Sequence, residues 1–497
     1  MEYFINCNTS PLSLYTTPLD AQKVAHLYRR LGFSASTDTV NSAVGLSANA
    51  LVDTLINQAL SLAPTAAPIW ADWNESNYPA DEDARGTLIR EQANDWGISY
   101  TNSLLNNNLR ERLSFFWSNH LVTEQDVYGC NSFLYHYTNC LQRNAIGNFK
   151  TFIREMGLTS AMLYYLDGVY NNSNRPNENY ARELYELFTL GEGNSYTEED
   201  IIETARALTG YVNRGELGCE QVTFDATKFD AGSKTIFGRT GNWGYDEVID
   251  ILFEERPNEI ATFICKKLYE FFVHPDSEDQ AGNAQAIIQG MASTFVANNF
   301  EIAPVLSQLF KSQHFFDNEA IGVIIKSPFD FYLNLIKESG FSHDDTTIST
   351  VINYSGMLSQ KLFEPIDVAG WQRDRSWINT NFIIGRWLTI ESILENFYQN
   401  NNEQFRDFAL ALTGNDGLTS NNPDVIARPV IDFLLPKGLL NEMEYGFAFT
   451  AFRGDVEDTY YEDGATPSWT LAIWPQAAYQ VYLLLQYIAR QPEFQLK

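Results

Sequence analysis

An apolar rhythm of three to four residues runs through nearly all of this chain and limits its fold more than any motif does. DAQKVAHLYRRLGF shows it, with Asp20 where a helix N-cap belongs and Gly32 just past the last turn. SAVGLSANALVDTLINQAL reads as a second helix. The pattern resumes from about Leu88 to Asn119 and through FLYHYTNCLQRNAIGNFKTFIREMG. It returns in DEVIDILFEERPNEIATFICKKLYEFFV, in 281–298 and 302–312, around the irregular centre FEPIDVAGWQRDRSWINTN, and in QAAYQVYLLLQYIARQPEF. Strands do not alternate with helices, and no fixed-period repeat appears. The rhythm breaks near 212–245, where VTFDATKFDAGSKTIFGRTGNWGYDE has the Gly, Thr and aromatic punctuation of a long loop or short hairpin. The expected class is mainly α, a large multi-helix globular bundle with an irregular or short-β insertion near 212–245. With 497 residues, 44% of them hydrophobic, the chain can build one large core or two lobes. The division expected is an extension at 1–19, a helical lobe at 20–320 and a second at 321–497, the two lobes forming one continuous domain if their cores join.

Charge narrows the partners. A net charge of -30 repels phosphate backbones, so nucleic acid is excluded. The acidic run GDVEDTYYEDG matches no calcium loop and reads as a solvated loop. No apolar stretch is long enough to span a membrane. The first 20 residues lack the basic and apolar regions of a signal peptide, so the chain as written is expected in the cytoplasm unless a partner exports it. None of Cys7, Cys130, Cys140, Cys219 and Cys265 forms a CxxC pair. Buried free thiols are therefore expected rather than a zinc ribbon or a disulfide framework.

The densest charge lies in NENYARELYELFTLGEGNSYTEEDIIETARALTGY, Asn177 to Tyr211. Asn177 can cap a first helix that Gly191 or Gly193 stops. Thr197 with Asp200 forms a capping box for a second helix, which Gly210 closes. Ala181, Leu184, Tyr185 and Phe188 make one apolar stripe, and Glu178, Arg182 and Glu186 stand four apart beside it. Leu187 and Leu190 fall on the far side at a uniform helical period, which predicts burial on both sides and carboxylates facing an interior. Arg182 and Arg206 are the natural ion-pair partners. A structural ion-pair network and a ligand or metal site are both consistent with that pattern.

In LRERLSFFWSNHL, His120 continues the apolar stripe of Leu109, Leu113, Phe116 and Trp117. A hydrogen-bonded core histidine and a functional one look alike at that position. His136 and Cys140 have i,i+4 spacing, but two ligands do not make a zinc site. GxSxG, HExxH, GxGxxG and GxxxxGK[ST] are all missing, which removes support for nucleophile-elbow hydrolases, zincins and the usual nucleotide enzymes.

The blocks AHLYRRLGF, FFWSNHL, RNAIGNF, AMLYYLDG, PNENYARELYELFTLGEG, YTEEDIIETARALTGY, KFDAGSKTIFG, KKLYEFFV, LFEPIDVAGWQRDRSWIN and ARQPEF occur in order. Through them the chain, from about 20 to 495, resembles the bacterial family catalogued as domain of unknown function 1800. The resemblance implies a frequently exported protein whose gene often neighbours that of a sulfatase-like protein, a candidate partner. One position departs from the family pattern: Phe229 precedes Asp230 where the family usually has His.

Two functions are expected. The first is an enzyme or metal-binding protein of the envelope, with His120, Glu183 and Glu186 as catalytic groups. Asn177, Glu178, Arg182, Arg206, Asp230 and Trp371 would line its binding site, with a divalent metal as the cofactor. Trp371 and Trp377 would suit a sugar ring, though both are equally at home in a core. The second is a non-catalytic partner in assembly with the sulfatase-like protein.

Overall fold

A computed structural model describes residues 10–212, 219–278 and 283–497. Helices occupy 61% of the chain and two small antiparallel sheets 4%, so the fold is mainly α. The local signals act as their chemistry requires. Asp20 accepts from the Lys23 amide at 2.8 Å and starts the helix Ala21–Leu31, which ends at Gly32. Thr197 and Asp200 satisfy each other's amides at 3.2 and 3.0 Å and start Glu198–Ala207. The insertion contains both sheets. Tyr211–Val212 pairs with Thr223–Phe224, and Lys234–Ile236 pairs with Arg239–Gly241, with Thr235 opposite Thr240.

The helical pattern from about Leu88 to Asn119 forms two helices, Glu82–Asn106 and Leu109–Ser118. Asn107 is extended and Asn108 leaves the helical region, so the chain turns between them. Every residue of Leu109–Ser118 is buried, including Arg110, Glu111 and Arg112. Buried charges need partners. Arg110 pairs with Glu111, whose carboxyl burial pushes up and whose oxygens also accept from Gln142 at 3.0 and 3.2 Å. Arg112 reaches across the molecule to Asp330, with Nη1 at 2.7 Å and Nη2 at 3.3 Å.

Asp330 serves three structural purposes. It closes the capping box with Ser327 that starts Pro328–Ser339, and it pairs with both Arg112 and Lys497. Burial alone would raise its carboxyl, but the two cations outweigh that and hold it well below the ordinary carboxylate range. Arg29 likewise pairs with Glu338 of the same helix at 2.6 Å. These contacts join residues on either side of position 320, and one apolar cluster, from Leu19 to Phe494, runs through both segments.

The cysteine expectation needs correction. Cys130 and Cys219 form a disulfide with a Cα separation of 5.5 Å, 89 residues apart in sequence. Nothing in their spacing announces it, because the fold brings them together. Cys140 and Cys265 are buried free thiols as expected, and Cys7 lies outside the described residues.

Replacing Asp330 with Asn leaves Arg112 and Lys497 without a counter-charge in the interior. The expected cost is about 3–5 kcal/mol, read as a lower midpoint of urea unfolding. A variant as stable as the parent would show that the ion triad is dispensable.

Candidate functional site

The acidic hairpin is built much as its sequence suggests, with one change of geometry. Asn177 Oδ1 accepts from the Asn179 amide at 2.9 Å, and Asn179–Glu183 is helical. From Leu184 to Thr189 the helix widens into a π turn. Thr189 Oγ1 donates to the Leu184 carbonyl at 2.5 Å, and the Leu190 and Gly191 amides both donate to Tyr185 O, at 2.8 and 3.1 Å. The extra residue in this turn changes the period, yet the expected burial of the far-side leucines largely holds. Leu190 is fully buried and Leu187 half-buried.

The carboxylates do not face an interior, which corrects the sequence expectation. Glu178 is exposed, and Arg182 binds Glu178, Glu186 and Glu198 at 3.4, 3.2 and 2.8 Å at the surface. Such exposed pairs contribute a few tenths of a kcal/mol each. Glu183 is half-buried, and burial, then the charge of Glu186, raises its carboxyl. Arg206 and Asp230 form a second cluster. Arg206 Nε donates to Asp230 Oδ2 at 2.8 Å and its Nη1 to Glu203 at 2.7 Å, and the hydrogen bond from Arg206 lowers the Asp230 carboxyl. Phe229 offers its ring to the Lys234 ammonium, 4.8 Å from the centroid. Among the described residues, no group of three or more His, Cys, Asp or Glu side chains could hold a metal ion. His136 instead pairs with Asp72 at 3.0 Å, while Cys140 is buried.

His120 and Trp371 meet elsewhere, around a cavity of about 140 Å³. Its walls come from the end of Leu109–Ser118, from Pro257–Phe272, and from the loops before Pro328 and around Trp371. The Trp371 amide donates to Asn119 Oδ1 at 2.5 Å, its indole Nε1 donates to Lys361 O at 3.0 Å, and its ring stacks on Phe115 at 5.2 Å. Gly370 lets this happen. Its φ is +96°, and a Cβ there would come within 2.7 Å of the Asn119 carbonyl.

His120 stands in the wall with 5% exposure. Its Nε2 donates to the Phe188 carbonyl at 3.0 Å, so the π turn of the acidic hairpin orients the ring from behind. Phe116 lies parallel to it at 6.2 Å. Burial, then the positive charges of Lys267 and Arg373, push the imidazole down to about 3. Glu183 and Glu186 do not line this cavity, and neither do Asn177, Glu178, Arg182, Arg206 or Asp230.

The charged lining is what the sequence expectation missed. Arg112, Lys267, Arg373 and Lys497 face Glu270, Asp330 and Asp374. Glu270 accepts from Ser277 Oγ at 2.6 Å and stands 3.7 Å from Arg373. Lys267 forms no ion pair among the described residues, and burial, then Arg373, brings its ammonium down to about 8. A signal was present in the sequence. Arg112 sits one turn before the apolar run Phe115–Trp117, and RDRSW lies just beyond Trp371.

The buried neutral imidazole gives a pH signature. The unfolded chain takes up a proton near the ordinary value of about 6.5, whereas folded His120 resists until about 3. Its contribution to stability is therefore intact above pH 6.5 and lost as pH falls toward 3. Compared with a His120→Phe variant, the parent should lose stability faster from pH 6 to pH 4, by up to about 1.4 kcal/mol per pH unit. Parallel pH curves would contradict this.

A family model described as "Protein of unknown function (DUF1800)" matches residues 26–496. No curated protein and no solved structure matches the chain. With the match spanning almost its whole length, the chain belongs to the DUF1800 family.

Proposed function

We propose that this protein binds a small organic anion in the cavity beside His120 and Trp371, and that it works in an oxidising compartment. The observation that carries the binding reading is the charge of the lining. The chain has 63 acidic against 33 basic side chains, yet four cations face three acids around this cavity. Two of those cations, Arg112 and Lys497, already hold Asp330. Lys267 forms no ion pair of its own among the described residues. An anion seated there gains charge-assisted hydrogen bonds in surroundings that water screens weakly. Phe115, Phe116 and Trp371 supply an aromatic wall for the rest of the ligand. His120, neutral at physiological pH, serves in this reading as a fixed polar contact and carries no proton to the ligand.

The Cys130–Cys219 disulfide supports the oxidising compartment of this reading. Such a bond persists where the thiol–disulfide balance is oxidising and is rare in the cytosol. In cells whose free thiols are blocked before lysis, the intact cystine should be recovered from the envelope fraction. Recovery of both thiols, reduced and in the cytosol, would refute this part of the reading.

Phenylacetate tests the site. Calorimetric titration should show binding that weakens about tenfold or more in Lys267→Met, the loss of one charge-assisted contact. Binding needs the Lys267 ammonium, which loses its proton near pH 8, so parent affinity should fall above that pH while that of Lys267→Met stays flat. Absence of binding by both phenylacetate and its 2-hydroxy analogue mandelate, or binding indifferent to Lys267→Met, would overturn the proposal.

A further inference from the structure

We infer that the ligand of this cavity carries a hydroxyl next to its anionic group, and that His120 Nδ1 accepts the hydroxyl proton. The inference rests on the anion-binding reading above and names the class of anion: a hydroxy-carboxylate.

The tautomer is fixed by geometry. A carbonyl oxygen can only accept, so the 3.0 Å contact with Phe188 O places the proton on Nε2. The ring is neutral, so Nδ1 carries a lone pair. No backbone or side-chain donor among the described residues reaches Nδ1, although the ring is 95% buried and lines the cavity. Phe116, Trp117 and Phe263 stand around it, with ring centroids 6.2, 5.5 and 6.1 Å away; the two phenyl rings have no donor, and Trp117 Nε1 donates to the Ala145 carbonyl. A buried acceptor left bare costs about 1–3 kcal/mol. A ligand without a donor would displace solvent from Nδ1 and incur that cost. A ligand with one would avoid it.

The sign of the field then selects the donor. Burial first, and then positive charge from Lys267 and Arg373, keeps the His120 ring neutral, and that charge also disfavours a ligand ammonium at Nδ1. A neutral hydroxyl donates without that repulsion. His120 and Lys267 line the same cavity of about 140 Å³, so the ligand's hydroxyl and carboxylate lie close together. A hydroxyl on the carbon next to the carboxylate, as in a 2-hydroxy acid or a sugar acid, meets that requirement.

Mandelate and phenylacetate share a ring and a carboxylate and differ by one such hydroxyl. Calorimetric titration of the full chain should show at least one mandelate enantiomer binding about tenfold tighter than phenylacetate. In His120→Phe that ratio should fall to about one. Should His120→Phe fail to fold, nitrogen-15 spectra of the parent imidazoles serve instead. Mandelate, and not phenylacetate, should shift the Nδ1 resonance in the direction of an accepted hydrogen bond. Phenylacetate binding as tightly as both mandelates, in a Lys267-dependent manner, would overturn this inference and leave the anion-binding reading standing. Failure of all three to bind would overturn both.

Discussion

The Asp330 carboxylate, held between Arg112 and Lys497, is the contact on which the rest of the arrangement depends. An isolated charge in an interior this apolar would be severely unfavourable, and so would either cation without it. Together they fix three elements at one point: the buried helix Leu109–Ser118, the start of Pro328–Ser339, and the segment of Lys497. The same three side chains line the cavity. The contact that holds these elements together is thus also part of the cavity wall.

What the sequence revealed was decided locally. Asp20, Gly32 and the Thr197–Asp200 box act on amides within one turn of themselves, so their effect can be read without knowing the fold. The mainly α class and the short hairpins near 212–245 come from patterning of the same range. The π turn escapes such a reading, because the residues of ELYELFT keep an ordinary α-helical pattern while the Leu190 amide bonds back five residues to Tyr185 O. The ion triad and the disulfide escape it as well. Arg112 and Lys497 come from distant parts of the chain, and Cys130 lies 89 residues before Cys219. Of the expected site residues, His120 and Trp371 do line one cavity. The acids of the hairpin form separate clusters at or near the surface. Charge density made those acids conspicuous in the sequence, but density does not report where charge is desolvated. Desolvation gives Lys267 its altered chemistry, and it depends on neighbours far away in the chain.

The hairpin still bears on the site, through its backbone. Phe188 contributes a carbonyl, and that one acceptor sets which nitrogen of His120 carries hydrogen. A main-chain group performs this better than a side chain would, since it has no rotamer to lose and cannot change its protonation. Asn119 holds the opposite wall by a similar device, bonding the Trp371 amide where Gly370 allows the backbones to approach. Neighbouring residues at the end of one helix thereby fix both a polar and an aromatic wall.

The cystine between Cys130 and Cys219 encloses the entire acidic hairpin in a covalent ring. Phe188 is therefore tethered from both sides, through Cys130 and through Cys219. Closure entropy grows only slowly with loop length, so the crosslink contributes modestly, by restricting the undocked conformations from which Phe188 would have to return to His120.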